Sequence, residues 1–319
     1  MARFLLLVHG GNFKPAADAL NALWLDAIRW GLLRDAHAAL DRFDRIEVGF
    51  AYYGDSTNRL LRAAGREHDE QLDIADCSNA LSELKQLDEP RRFRRARYEK
   101  LPGKTAFKEL LADAGAPLSR ALGLSERVAA CVAPELAAYW QADHAFKAEV
   151  IERITRPLCA ALQRNDDIMV LSHGLGSVAT YDVFWQLSRG PDADSRAAKA
   201  KVNTWVTLGS PLGDEAVKKR LNGADRRGAL CYPGNVLNWY NVSAEDDYLT
   251  HDKTLANDYS AMLGYRLVSR IRDFRIYNLA VRYGRSDPHC ALGYLIHPRV
   301  TRLIADWLCA DELTRDRSA

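Results

Sequence analysis

Asp166-Asp167-Ile168-Met169-Val170-Leu171-Ser172-His173-Gly174-Leu175-Gly176-Ser177-Val178-Ala179-Thr180-Tyr181 is the stretch whose reading decides the fold. The apolar run Ile168 to Leu171 is β-rich and too short for a helix. It breaks into a turn of small residues and resumes with helical spacing, which reads as strand, sharp turn, helix. That unit belongs to a parallel sheet, whose strands are joined by helical crossovers.

On its C-terminal side the pattern continues with a helix from Ser177 to Leu187, a strand from Val202 to Gly209, another from Val236 to Val242 and a last one from Phe274 to Val281. A closing helix is expected from Pro298 to Leu308. On the N-terminal side, His144 to Leu162 carry Phe146, Val150, Ile151, Ile154 and Leu158 at helical spacing and lead into the elbow strand. At the start of the chain, a strand from Phe4 to Val8 empties into His9-Gly10-Gly11-Asn12. A helical pattern follows from about Ala16 to Leu40, with Leu20, Leu23, Trp24, Ile28 and Leu32 on its apolar face. Arg45 to Tyr53 form the second strand, closed by Gly54-Asp55, so the three elements make a right-handed βαβ crossover. The expected architecture is α/β, about six parallel strands with helices on both faces, in a single domain over residues 1–319.

Between Ser56 and about Asp143 the sheet signal disappears. Charged helical stretches such as Ala80 to Leu87 alternate with breaks at Pro90, Leu101-Pro102-Gly103 and Ala116-Pro117. Residues 56–143 are expected to form a mainly helical insertion over the carboxyl edge of the sheet, where it can act as a lid. The insertion contains Arg91-Arg92-Phe93-Arg94-Arg95-Ala96-Arg97-Tyr98. Guanidinium forks with interleaved aromatics suit phosphates and bases, while such a run is also what a solvated helix face looks like.

With 319 residues, 48% of them hydrophobic, the chain is long enough for one large domain with an insertion or for two modest domains. The formal net charge of +2 gives no global field to recruit nucleic acid or an anionic membrane. Cys77, Cys131, Cys159, Cys231, Cys290 and Cys309 are scattered without C-x-x-C pairs, which suits reduced thiols in a cytoplasm. The start Met1 to Gly11 briefly imitates a signal peptide, but its short apolar run ends in His-Gly-Gly and reads as a buried strand. No unbroken apolar stretch approaches the roughly 20 residues that span a bilayer. The spacing holds no metal motif, no phosphate-binding Gly-x-x-x-x-Gly-Lys loop and no G-x-G-x-x-G after the first strand, so neither metal nor cofactor is expected.

The chain resembles the α/β-hydrolases, close to bacterial serine esterases and lipases with Gly-His-Ser-Leu-Gly or Ser-His-Ser-Leu-Gly elbows. Ser172-His173-Gly174-Leu175-Gly176 carries the resemblance at the elbow, Leu7-Val8-His9-Gly10-Gly11 at the oxyanion-loop strand, and Trp205 to Leu212 at the following strand and turn. The match covers most of the chain outside residues 56–143. It implies Gly-x-Ser-x-Gly at the elbow, and the nucleophile position is Gly174. Glycine has no side chain with which to form an acyl-enzyme. It does suit a turn pushed towards positive φ, which is costly for serine by roughly 1 kcal/mol or more. Glycine there reads either as a fold retained after its chemistry was lost or as an inactivated variant in which serine was replaced.

Family order, nucleophile then acid then histidine, places the acid in Trp239 to Asp247 just past a strand end, with Asp247 as the choice and Asp246 in reserve. It places the base at His289, in Ser286-Asp287-Pro288-His289. The oxyanion hole is expected from the backbone N–H of Leu175 with that of Gly11 or Asn12, groups that persist whatever stands at 174. His9 and His173 read as packing and turn residues. Ser172, Ser177 and Cys290 are the other candidates for attack: Ser172 is expected to point away from the site, Ser177 to cap or pack a helix, and Cys290 need not face His289. The implied function is a ligand-binding or regulatory protein of hydrolase descent, with a small acyl-type ligand as partner. One alternative is an ester or thioester hydrolase in which His289 and Asp247 activate water. The other is binding of an anionic partner or nucleic acid by the arginine-rich insertion.

Overall fold

A computed structural model of the chain describes residues 2–103, 134–141, 145–191, 199–247, 249–250 and 254–310. The expected helix start at His144, the break at Ala116-Pro117 and Cys131 lie outside these residues. The other cysteines, Cys77, Cys159, Cys231, Cys290 and Cys309, are free thiols.

Six parallel strands form the main sheet. In chain order they are β1 (Arg3–Val8), β2 (Glu47–Ala51), β3 (Asp167–His173), β4 (Val202–Leu208), β5 (Val236–Ala244) and β6 (Arg270–Ile276), and in space they run β2-β1-β3-β4-β5-β6. Side chains of a strand alternate between faces, and a parallel sheet has both faces covered. Thus Phe4, Leu6 and Val8 enter one hydrophobic core while Leu5 and Leu7 enter the other. Helices α1 (Ala17–Asp35), α2 (His37–Phe43), α4 (Glu70–Lys85), α8 (Ala291–Leu295) and α9 (Pro298–Leu308) cover the Leu5 face. On the Phe4 face lie α3 (Gly54–Ala63), α5 (Pro134–Trp140), α6 (Ala145–Arg164) and α7 (Leu175–Arg189).

Several elements differ from the sequence expectation in extent. The first helix breaks at Ala36, whose φ of −153° is extended, so one long helix becomes α1 and α2. The last strand runs from Arg270 rather than Phe274. Its arginines lie on an outer strand, where charge blunts the open edge and breaks the apolar run by which a strand is recognised. Val281–Arg282 and Arg285–Ser286 then pair as a small antiparallel hairpin that the pattern did not suggest.

The arginine run packs differently from a free basic face. Phe93 and Tyr98 are buried, and Arg91, Arg92 and Arg95 make exposed ion pairs with Glu89, Asp88 and Glu99. Among the described residues no helix is long and apolar enough to cross a membrane.

Candidate functional site

The strand order reverses between β1 and β3: from β1 the chain moves outward to β2, and from β3 it moves the other way to β4. Helices on the two sides diverge there, leaving a crevice at the carboxyl ends of the strands. The loop after β1 and the turn after β3 both open into it. The position of the site therefore follows from connectivity.

Gly174 links β3 to α7 with φ 52° and ψ −124°, a conformation that side chains rarely adopt. Its N–H donates to Leu208 O at 3.0 Å and its carbonyl accepts from Ser177 N, so the turn is tied to β4 and to its own helix. Gly176 lets α7 lie against β1: a Cβ there would come 2.3 Å from His9 O. Gly176 is thus required by close packing, whereas at 174 the positive φ favours glycine without demanding it.

Asp247 and His289 meet in front of this turn. His289 Nδ1 lies 3.1 and 3.0 Å from the two carboxylate oxygens of Asp247. On the far side of the ring, Nε2 is 3.1 Å from the point that a Cβ on Gly174 would occupy. Asp247 also accepts from Tyr294 Oη at 2.6 Å and from Leu249 N at 3.0 Å. Asp246 faces elsewhere, accepting from Tyr98 Oη at 2.9 Å. Of the two carboxylates considered from the sequence, the structure brings Asp247 to the histidine.

Burial pushes the His289 imidazolium down, but the charge and hydrogen bond of Asp247, helped by Asp287, push back harder, and the ring titrates above the usual histidine range. Asp287 is itself buried, which raises its carboxyl, and it accepts from His289 N at 3.1 Å. A raised folded value contributes stability that is complete below the ordinary 6.5 and is lost as pH rises through the folded value. An NMR titration of the His289 ring is expected to show a midpoint above 6.5. A midpoint below it would break the assigned pairing.

The other two histidines nearby support loops. His173 Nε2 lies 2.8 Å from the carbonyl of His289 and holds that loop. Tyr53 N–H donates to His9 Nε2 at 3.0 Å, and His9 Nδ1 lies 2.8 Å from Gly10 O. Burial drives both rings to the neutral form, His9 to about 3.

Neither nearby hydroxyl reaches the crevice. Ser172 and Ser177 are fully buried, their oxygens 3.1 Å apart, and Trp205 Nε1–H donates to Ser172 Oγ at 2.9 Å. Ser172→Ala orphans the indole N–H and is expected to cost about 1–3 kcal/mol in a urea melt. Like the wild type, this variant should take no fluorophosphonate label. Burial raises the Cys290 thiol to about 11, so it is not a thiolate at neutral pH.

Sequence reasoning missed two residues behind the loop that follows β1. Lys14 Nζ donates to the carbonyls of Gly11, Asn12 and Phe13, the last two at 3.2 Å. In a trans peptide the C=O and N–H point in opposite directions. Holding the Gly11 carbonyl therefore turns the Asn12 N–H the other way, with Asn12 at φ 65°. That N–H is met by the carboxylate of Glu135 on α5. Nothing local in the sequence marks Glu135, because it lies 123 residues from its partner.

Beside His289 is a cavity of about 380 Å³ lined by Leu20, Leu23, Trp24, Lys14, His68 and Arg282 among others. Among the described residues no cluster of three His, Cys, Asp or Glu side chains could hold a metal ion. The chain matches no protein-family model, no curated protein and no solved structure.

Proposed function

We propose that this chain has an α/β-hydrolase architecture of serine esterase or lipase descent, has glycine in place of the nucleophile, and serves as a ligand-binding or regulatory pseudo-hydrolase. One observation carries the reading: an aspartate-bound imidazole faces the Cβ position of a residue that has no Cβ. An Asp247-oriented histidine is suited to take a proton from a hydroxyl at that point, and no hydroxyl stands there. The amide of Leu175 at the helix start, and that of Asn12 once Glu135 leaves it, can hold a carbonyl or carboxylate oxygen. The test is an activity-based one. A fluorophosphonate probe is expected to leave no adduct on the wild-type chain, and labelling of Ser172 or Ser177 would overturn the reading.

The second reading is supported by the same imidazole, which could activate water against an ester or thioester without a covalent intermediate. Positioning and oxyanion stabilisation leave substantial rate over water even when a nucleophile is absent. Turnover of short-chain esters that His289→Ala abolishes would establish this reading, and a wild type that turns over none of a panel of acyl esters would remove it. Binding of an anionic partner by the arginine run has less support, since Arg91, Arg92 and Arg95 already pair with neighbouring acids. A steep loss of binding with added salt would favour that reading.

A further inference from the structure

We propose that the ligand of this site is a small organic carboxylate and that Glu135 holds its place until it arrives. The proposal deepens the pseudo-hydrolase reading and rests on it. Glu135 is only 5% exposed, yet it keeps a carboxylate at the Asn12 N–H. Its Oε1 lies 3.1 Å from where a Cβ on Gly11 would stand, and Leu175 Cδ2 borders the same point at 3.9 Å. A carboxylate this far from water is retained only where hydrogen bonds and opposite charge offset its lost hydration. Here the Asn12 amide donates to it, and Lys14, although pushed down by burial, is held up in part by the Glu135 charge. The chain's own side chain thus shows which functional group this pocket accommodates.

Glycine at the elbow completes the argument. In a serine enzyme a hydroxymethyl group would stand between His289 and the amides. With Gly174, no side chain stands between His289 Nε2 and the backbone, since the nearest groups to the Cβ position are His289 Nε2 at 3.1 Å and Gly10 Cα at 3.6 Å, and a ligand oxygen can approach the imidazole in van der Waals contact with the Gly174 Cα. A carboxylate presents two oxygens on one carbon. One takes the amides of Asn12 and Leu175, the latter an N-terminal helix N–H with no acceptor inside its helix. The other takes the proton of the His289 imidazolium in a charge-assisted bond. A neutral ester or amide has no second anionic oxygen for the imidazolium. The adjoining cavity of about 380 Å³, with Leu20, Leu23 and Trp24 in its wall, has the size and partly apolar lining to take a short tail.

Isothermal titration calorimetry on the full chain tests this with hexanoate and hexanamide. Hexanoate is expected to bind at least about tenfold tighter than hexanamide. Glu135→Gln should tighten hexanoate by about tenfold, since it removes a negative charge that repels the ligand carboxylate as well as loosening the hold on the Asn12 amide, while the neutral hexanamide, which gains only from the second effect, tightens less. Glu135→Ala repeats the measurement without a side chain that can still accept from Asn12. Gly174→Ser should weaken hexanoate, because its side chain enters the space of the second oxygen. Equal affinity for acid and amide, no hexanoate binding by wild type or either Glu135 variant, or indifference to Gly174→Ser would each overturn the proposal. If Gly174→Ser takes a fluorophosphonate label while hexanoate is ignored, the carboxylate proposal falls alone. If it takes no label and hexanoate is ignored, the pseudo-hydrolase reading falls with it.

Discussion

Gly174→Ser is expected to convert the chain into a serine esterase, with covalent fluorophosphonate labelling at residue 174 and ester hydrolysis on the order of 10²–10⁴-fold above the wild type. The magnitude is what a nucleophile is expected to add beside an oriented imidazole and loop amides, one of which Glu135 must first release. The backbone at 174 is held at φ 52° by its bond to Leu208 O and by the start of α7, so serine inherits the position facing His289 without rebuilding the turn. Its side chain costs something: a non-glycine residue held in a sparsely populated region is destabilised by about 1–3 kcal/mol. A Cβ 3.1 Å from His289 Nε2 and 3.4 Å from Cε1 also requires the ring to yield by a few tenths of an ångström. A urea melt should therefore show a less stable but folded variant. A folded Gly174→Ser protein that neither labels nor turns over esters would mean that Asp247, His289 and the loop amides do not form an acyl-transfer site.

Within the Gly174→Ser background, Asp247→Asn is expected to remove most of the gained rate, returning ester hydrolysis to near the wild-type level, by analogy with loss of the aspartate in a serine triad. The carboxylate accepts the Nδ1 proton and so leaves Nε2 as the base facing residue 174. An amide NH₂ turned to the same nitrogen favours the other tautomer. Asp246→Asn should change the rate less than about threefold, because that carboxylate is bound to Tyr98 rather than to the imidazole. Equal losses from the two substitutions would show that the acid has been misassigned. The ester rate of Gly174→Ser should rise with pH as His289 becomes neutral, with its half-maximum above 6.5 because Asp247 and Asp287 hold the ring protonated.

How much of this was legible in advance depends on the range over which each feature is determined. The strands β1, β3 and β4 announced themselves through local apolar runs buried on both faces, which a parallel sheet demands. β6 did so only from Phe274 onward, since Arg270 and Arg272 make its first half look like a surface segment. Asp247 and His289 could be named from chain order within the resemblance, but not joined by a distance. The choice between Asp246 and Asp247 depended on a left-handed turn at Asp246, φ 60°, that swings one carboxylate to Tyr98 and leaves the other facing the ring. Tyr294, Lys14 and Glu135 had no local signal at all. Each acts on the site through a partner or an orientation that only the folded chain creates.

By itself the amino-acid order determined that the chain builds a parallel α/β sheet and that no serine stands at the elbow. Both depend on residue identity and short-range periodicity. Tertiary structure alone decided which carboxylate meets the imidazole, how the loop carbonyls are turned from the crevice, and that a buried glutamate sits on the amide there. Those are contacts across tens to more than a hundred residues, where side-chain direction is set by packing and not by neighbours in the chain.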